Sequence, residues 1–534
     1  MAVGRTIARN TIFNAVGRLV EAMVGLILTW YVVQRIGTDG WGLWSLVAIF
    51  TGYAALLDFG VGSGFVKYVA EHAARKDVTA LSRVVSTGFF FYIAFGIVVL
   101  AIGWPLIGYA YDAIAAYATD GASDELAYGD DLHFLLNGAL VLFVVNNCIA
   151  PFACIPPGLQ RMGLANLASV LSTLVKVPVT VVLLEAGFGV RGLLYAALAA
   201  SLFFGVASVL MAFTLLPGLR VWPTHWHGGT FATLFSFGWR AQVGKLSNLI
   251  NFQTDRVVVA SVMRFGDMGL VGLYGLGEML ASKKRQIPAL LVSALIPAAS
   301  DLDARNSQDK LRALCIVSTK YMAAVAVPLA VFFAASADLL LLAWLGPKED
   351  LHIAAWVLRI LSVGYLFNVL PGPGLSVVLG KGRADLPMFA GLISMAANIA
   401  ATIMLYWTLG FYGIPLATSL AMALSSLWFF RQLRHLFNVT LTELLSKSLI
   451  WPLLASTPGL VLCLASEWWA AYAQDQFVAL GAVALVTPLF GLTYALCLRW
   501  APFIDAFDVA FLGDTLRLRK LPGFKWFTER AAHA

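Results

Sequence analysis

Apolar residues run along this chain in long blocks separated by short polar gaps. About fourteen blocks are readable, at 11–34, 41–62, 84–109, 132–155, 165–185, 189–216, 232–252, 268–297, 318–345, 353–379, 386–408, 411–430, 448–468 and 476–498. Most are long enough for a membrane-crossing helix, which needs roughly 17–25 residues. The short gaps make neighbours antiparallel hairpins. The pattern predicts an all-α polytopic membrane protein of about fourteen transmembrane helices.

One block breaks the rule. Residues 268–297 contain Lys283, Lys284 and Arg285 in succession. Cutting the block around them leaves pieces of about 15 and 12 residues, too short to span. The triplet is therefore expected inside one helix, where each cation costs roughly 2.5–3.5 kcal/mol. Such residues persist when they meet a partner or line a wet cavity, so the triplet predicts a site for an anion.

An internal repeat organises the blocks. The first outer turn reads Arg35-Ile-Gly37-Thr-Asp-Gly40-Trp-Gly42-Leu-Trp44, and the fourth reads Arg264-Phe-Gly266-Asp-Met-Gly269-Leu-Val-Gly272-Leu-Tyr274. Both share R-[IF]-G-x-x-G followed by G-L-aromatic. Val16-Gly17-Arg18-Leu19 likewise matches Val243-Gly244-Lys245-Leu246. The expected layout is two related six-helix bundles around a central cavity. Residues 1–216 form an N-lobe and 217–435 a C-lobe, followed by two extra helices (436–498) and a basic tail (499–534). Both repeats start on the same side of the membrane, so they are parallel, a layout that puts a substrate path between the lobes.

Composition agrees with the hydropathy pattern. Of 534 residues 60% are hydrophobic and 12% charged, against about 25% charged in a soluble domain. Arg5 and Arg9 precede a full-length span, with no cleavage pattern behind it, so a retained span is expected rather than a signal peptide. The five cysteines lie in or beside apolar runs and suggest neither a disulfide framework nor a zinc site. No cofactor or metal is expected. The formal charge of +7 calls for no nucleic-acid partner, because Lys and Arg concentrate in alternate gaps. Lys67, Arg75, Lys76, Arg83, Arg161, Arg220, Arg305, Lys310, Arg312, Lys381, Arg383, Arg431, Arg434 and Lys447 fall on one side, while the longest gap on the other side carries six acids and no base. The positive-inside bias predicts both termini in the cytoplasm.

Charged and polar residues inside the spans fall on helical faces. Span 1 carries Asn14, Arg18 and Glu21 at i, i+4, i+7; span 7 carries Arg240, Ser247 and Asn251, flanked by Asp255; span 8 carries Glu278, Ser282 and Arg285. Arg18, Arg240, Lys283, Lys284 and Arg285 are the candidate anion-binding residues. Asn14, Ser247, Asn251 and Ser282 are candidate polar lining. Glu21, Asp255 and Glu278 are candidates for ion coupling or charge pairing. Consecutive residues diverge by roughly 100° on a helix, so the triplet cannot all face one narrow cavity. At least one member is expected to pair with an acid or meet a neighbouring helix. Arg and Lys match phosphate well.

Asn10-Thr-Ile-Phe-Asn14, Ile36-Gly-Thr-Asp-Gly-Trp-Gly-Leu43, and Leu57-Asp-Phe-Gly-Val-Gly62 followed by Lys67-Tyr-Val-Ala-Glu71 resemble polysaccharide flippases of the Wzx type. These belong to the multidrug/oligosaccharidyl-lipid/polysaccharide (MOP) exporter superfamily. The resemblance is most specific over residues 10–85. It implies movement of an undecaprenyl-pyrophosphate-linked oligosaccharide from the cytoplasmic to the outer leaflet of a bacterial inner membrane, for O-antigen or exopolysaccharide synthesis. It also implies alternating access, with basic cavity residues meeting the pyrophosphate. Implied partners are the lipid-linked oligosaccharide, membrane lipids, and a polysaccharide polymerase or other assembly proteins; the chain is expected as a monomer. Two alternatives stand beside it. A multidrug or ion antiporter of the same superfamily fits a cation-rich interior poorly. A membrane glycan polymerase or ligase needs catalytic groups on a substantial outer loop, and the longest here is only about 20 residues.

Overall fold

A computed structural model describes residues 2–54, 61–118, 129–236, 255–261, 268–289, 292, 295–383, 385–473 and 475–503. Among them the chain is helical with no strand. Ten segments are long and apolar enough to cross a bilayer, and the expected fourteen crossings are compatible with them. Asp385–Phe437 spans 53 residues, about 80 Å of helix at roughly 1.5 Å per residue. It is two crossings, Asp385–Leu409 and Gly413–Phe437, separated by a turn at Gly410. Helix Met268–Ala289 is absent from the ten because the charges it carries lower its hydropathy, although its 22 residues span about 33 Å.

The first hairpin turn departs from expectation. The sequence places a gap between 34 and 41, whereas helix runs through Ala2–Ala54 with a single break at Gly37 (φ 71°, ψ −175°). Only glycine adopts that φ without strain, so one residue of the R-I-G motif turns the chain while its neighbours stay helical.

Large apolar side chains face outward: Ile97, Ile102, Leu202, Val206 and Leu210 are all more than half exposed. An outer surface of this kind is stable only against lipid.

The chain divides into two compact units, Met1–Gly275 and Leu276–Ala534. In the first, Val69, Leu81, Val85, Phe152, Ile155 and Ala212 form a buried core. The segment after helix Gly189–Leu215 is fastened to helix Val78–Ala118. There the Arg220 N–H donates to Ser82 Oγ at 3.1 Å, and the Trp222 and His227 N–H groups donate to Ser86 Oγ and Thr87 Oγ1 at 3.3 and 3.1 Å. Backbone donors that would otherwise be unpaired in an irregular segment are thereby satisfied. In the second unit, Leu311, Cys315, Val327, Val377, Phe429 and Leu433 centre the core. Asn398 Nδ2 donates to Thr418 Oγ1 at 2.7 Å inside the Asp385–Phe437 hairpin, a buried polar pair that fixes its register.

Candidate functional site

Helix Met268–Ala289 contains the whole Lys283-Lys284-Arg285 run, as the length argument requires. Glycines recur through the first half of the helix, at Gly269, Gly272, Gly275 and Gly277. Gly277 lies against helix Leu351–Val369 so closely that a Cβ there would come within 2.4 Å of the Ala354 carbonyl oxygen. Close backbone approach of this type brings long side chains further along within reach of the same neighbour.

The three cations then separate. Lys284 is buried, and its Nζ donates to the Ser362 carbonyl at 2.6 Å. Arg285 donates from one Nη to Asn368 Oδ1 at 3.1 Å, with its guanidinium 5.3 Å from the centre of the Tyr365 ring. Lys283 is half-buried and makes no hydrogen bond or ion pair among the described residues. The expected fan is thus resolved: two members meet helix Leu351–Val369 and the third points elsewhere. Arg285 lies about 6 Å of helix before Ala289, the last described residue of this helix.

Glu278 is buried and Ser282 half-buried on the same helix. In the Met1–Gly275 unit, Asp255 is buried and accepts a 2.6 Å hydrogen bond from the Tyr274 hydroxyl. Glu21 accepts a 2.5 Å bond from Ser169 Oγ. Arg240, Ser247 and Asn251, and the side chains of Asn14 and Arg18, lie outside the described residues.

The repeat has a physical counterpart. Gly42 and Gly272 are equivalent positions in the two G-L-aromatic motifs, and they pack on each other's motif. A Cβ on Gly42 would lie 1.9 Å from the Met268 carbonyl oxygen, and a Cβ on Gly272 would lie 2.1 Å from that of Thr38. Thr38 and Met268 each stand four residues before the motif glycine, so the contact is reciprocal. No residue larger than glycine fits either position without separating the two helices.

Other cations of the second unit are organised differently. Arg359 joins three helices: it pairs with Asp338 and with Glu467, the latter at 2.9 Å, while Glu467 also accepts the Asp338 N–H at 2.9 Å. Lys320, the third residue of the 318–345 block, is buried with Nζ 4.9 Å from the centre of the Phe503 ring. Its helix starts at Gln308 rather than near 318, which puts Lys320 about 18 Å along it. The signal in the sequence was the apolar stretch Leu314-Cys-Ile-Val317, which extends the span backward.

Comparison with known proteins follows the same lines. The polysaccharide biosynthesis protein family matches residues 7–303, and the lipid II flippase MurJ family matches residues 287–483. The putative O-antigen transporter of Shigella flexneri is 22% identical over 418 residues, covering 77% of this chain and 92% of that protein. The probable flippase AglR of Haloferax volcanii is 23% identical over 429 residues, covering 79% and 82%. Among solved structures, lipid II flippase MurJ in an inward closed conformation superposes with a TM-score of 0.63 at 13% identity, covering 91% of this chain and 99% of that one. An inward-facing multidrug resistance MATE family transporter of the MOP superfamily gives 0.59 at 17% identity, covering 80% and 99%. These two likenesses are of fold. With its first model matched over more than half of the 534 residues, the chain belongs to the polysaccharide biosynthesis protein family and has the fold of MOP-superfamily transporters.

Proposed function

We propose that this protein is a flippase that carries a polyprenyl-pyrophosphate-linked oligosaccharide from the cytoplasmic to the outer leaflet of a bacterial inner membrane. The observation that carries this reading is the family match over residues 7–303, joined to a membrane helix with three consecutive cations. The relatives point the same way, being named as an O-antigen transporter, a flippase and a teichuronic acid biosynthesis protein. The distribution of Lys and Arg supports a cytoplasmic location for both termini. The N-lobe (1–216) and C-lobe (217–435) alternate in opening to the two sides.

Within this reading Lys283 is the direct contact for the pyrophosphate, because the other two cations of the run are already engaged with helix Leu351–Val369. Lys284 and Arg285 hold the helix in place and add to the positive field. Arg18 and Arg240 contribute from spans 1 and 7, with Asn14, Ser247, Asn251 and Ser282 lining a wet path for the sugars. Glu21, Asp255 and Glu278 are the groups through which a proton or sodium gradient could be coupled, provided that binding differs between the two access states.

The test is leaflet accessibility of a defined lipid-linked sugar in proteoliposomes, with and without ion gradients. Sugar becoming accessible on the far leaflet supports the reading, and Arg18→Ala or Arg285→Ala is expected to abolish it in correctly inserted protein. Extrusion of organic cations without lipid-linked sugar movement would move the protein to the multidrug branch of the superfamily.

A further inference from the structure

The last turns of helix Gly413–Phe437 carry Arg431, Arg434 and His435, all exposed. With Arg312 and Asp309 from the start of helix Gln308–Ala335, they line a groove of about 790 Å³. Three arginines stand there against one aspartate. Arg312 is held by Glu443, with one Nη at 2.7 and 2.9 Å from its two oxygens. Arg431 and Arg434 make no side-chain hydrogen bond or ion pair among the described residues.

Lys310 is likewise exposed without a side-chain partner among the described residues, but most other cations at this end of the unit are paired. Arg305 pairs with Asp301, Lys381 with Asp303, Arg383 with Asp385 and Lys447 with Glu443. The ordinary explanation for cations at a helix C-terminus is interaction with the helix dipole. It accounts for Arg434 and His435, which lie in the last turn before the left-handed Asn438. It does not account for Arg431, a turn earlier, or for Arg312 arriving from another helix. Arg431 lies about 27 Å along its helix, so the cluster sits near the edge of a hydrocarbon layer about 30 Å thick, at headgroup level. Leu436 and Phe437 give the groove an apolar wall beside its cations. A basic pocket between membrane helices with such a wall fits an amphiphile with an anionic phosphate head.

We propose that this groove is a phosphate-binding site that takes the phosphodiester headgroup of an anionic phospholipid. A free phosphate would meet the same arginines, so the experiment distinguishes the two sources. Full-length protein in detergent is titrated with phosphatidylglycerol and, separately, with zwitterionic phosphatidylethanolamine. Binding is read by native mass spectrometry for wild type, Arg431→Gln/Arg434→Gln, and Arg305→Gln as a paired-arginine control.

Phosphatidylglycerol binding is expected to weaken roughly 10–30-fold in the double variant, from about 1 kcal/mol per basic residue near a charged surface. It should be unchanged in Arg305→Gln, as should phosphatidylethanolamine binding in all three proteins. Both substituted arginines are exposed, so thermal unfolding should not move and serves as the folding check. Equal phosphatidylglycerol binding by wild type and double variant overturns the proposal. Displacement of the lipid by millimolar inorganic phosphate, with no preference for the anionic over the zwitterionic lipid, overturns the lipid assignment in favour of a soluble anion. The readout is binding alone, so it stands or falls independently of what the protein transports.

Discussion

Helix Leu351–Val369 meets two cations within one turn, and it treats them in opposite ways. Arg359, on the helix itself, is locked between two carboxylates from two other helices, with the Trp356 ring 5.2 Å away. Lys284, arriving from helix Met268–Ala289, finds only the Ser362 carbonyl and no acid among the described residues. The Arg359 guanidinium thus has its partners inside the unit. Its work is to tie helix Ile450–Ala473 and helix Ala337–Leu345 to the unit. Lys284 has a backbone acceptor and no carboxylate beside it among the described residues, and a buried ammonium without a counter-ion is costly unless something anionic shares the site. The difference separates a cation that holds helices together from one whose field remains to be used.

The sharpest way to break this comparison is Arg359→Ala. It strands Asp338 and Glu467 at a packed junction. Full burial would cost about 3–5 kcal/mol; since Asp338 is 38% exposed, about 2–4 kcal/mol is expected. Thermal unfolding in detergent should fall clearly, and folded protein in the membrane should fall with it. Unchanged stability would remove the structural assignment. The next largest effect is expected from Lys283→Gln. Export, scored by surface polysaccharide, should drop at least about tenfold, the equivalent of 1.4 kcal/mol. Protein level and unfolding temperature should stay put, because Lys283 makes no hydrogen bond or ion pair among the described residues. A variant with normal export would transfer the anion contact to Arg285 or Lys284.

Lys284→Met gives a third, smaller effect of the opposite kind. Methionine of similar length replaces a buried charge by an apolar group, which is neutral or stabilising in comparable sites by roughly 0–4 kcal/mol. Stability should hold or rise, while export falls several-fold through loss of field. A fall in stability of the size expected for Arg359→Ala would make the two cations alike after all.

How much of this was legible in the sequence depends on where the partners lie. Hydropathy alone delimits most spans, because a helix in lipid must be apolar along a full crossing and its neighbours are joined by short turns. The Lys283-Lys284-Arg285 run stands out for the same reason. The G-L-aromatic repeat was readable too, since glycines there cannot be replaced where backbones touch. The reciprocity of Gly42 and Gly272 was not, because nothing in either motif says that its partner is the other one. The acids of Arg359 lie 21 residues before and 108 after it, beyond the reach of any helical spacing. The partner of Lys284 is a backbone carbonyl, which every residue has and no sequence marks. Side-chain fan and helix period could say that the triplet must divide, but not which member goes where; that follows from Gly277 seating the helix against Ala354.

The smallest expected effect completes the series. Arg191 pairs with Asp131 at 2.5 Å and lies over the Phe134 ring at 5.2 Å, with side chains 43% and 34% exposed. Geometrically this pair resembles the one between Arg359 and Glu467. It differs in standing at the start of helix Gly189–Leu215 and helix Gly129–Ala153, where the charges keep contact with a polar medium. Exposed pairs contribute roughly 0.2–1 kcal/mol. Arg191→Ala should therefore shift unfolding by less than about 1 kcal/mol and leave export unchanged. If it instead destabilises as strongly as Arg359→Ala, exposure is not what grades these cations, and the contrast between Arg359 and Lys284 must rest on partner charge alone.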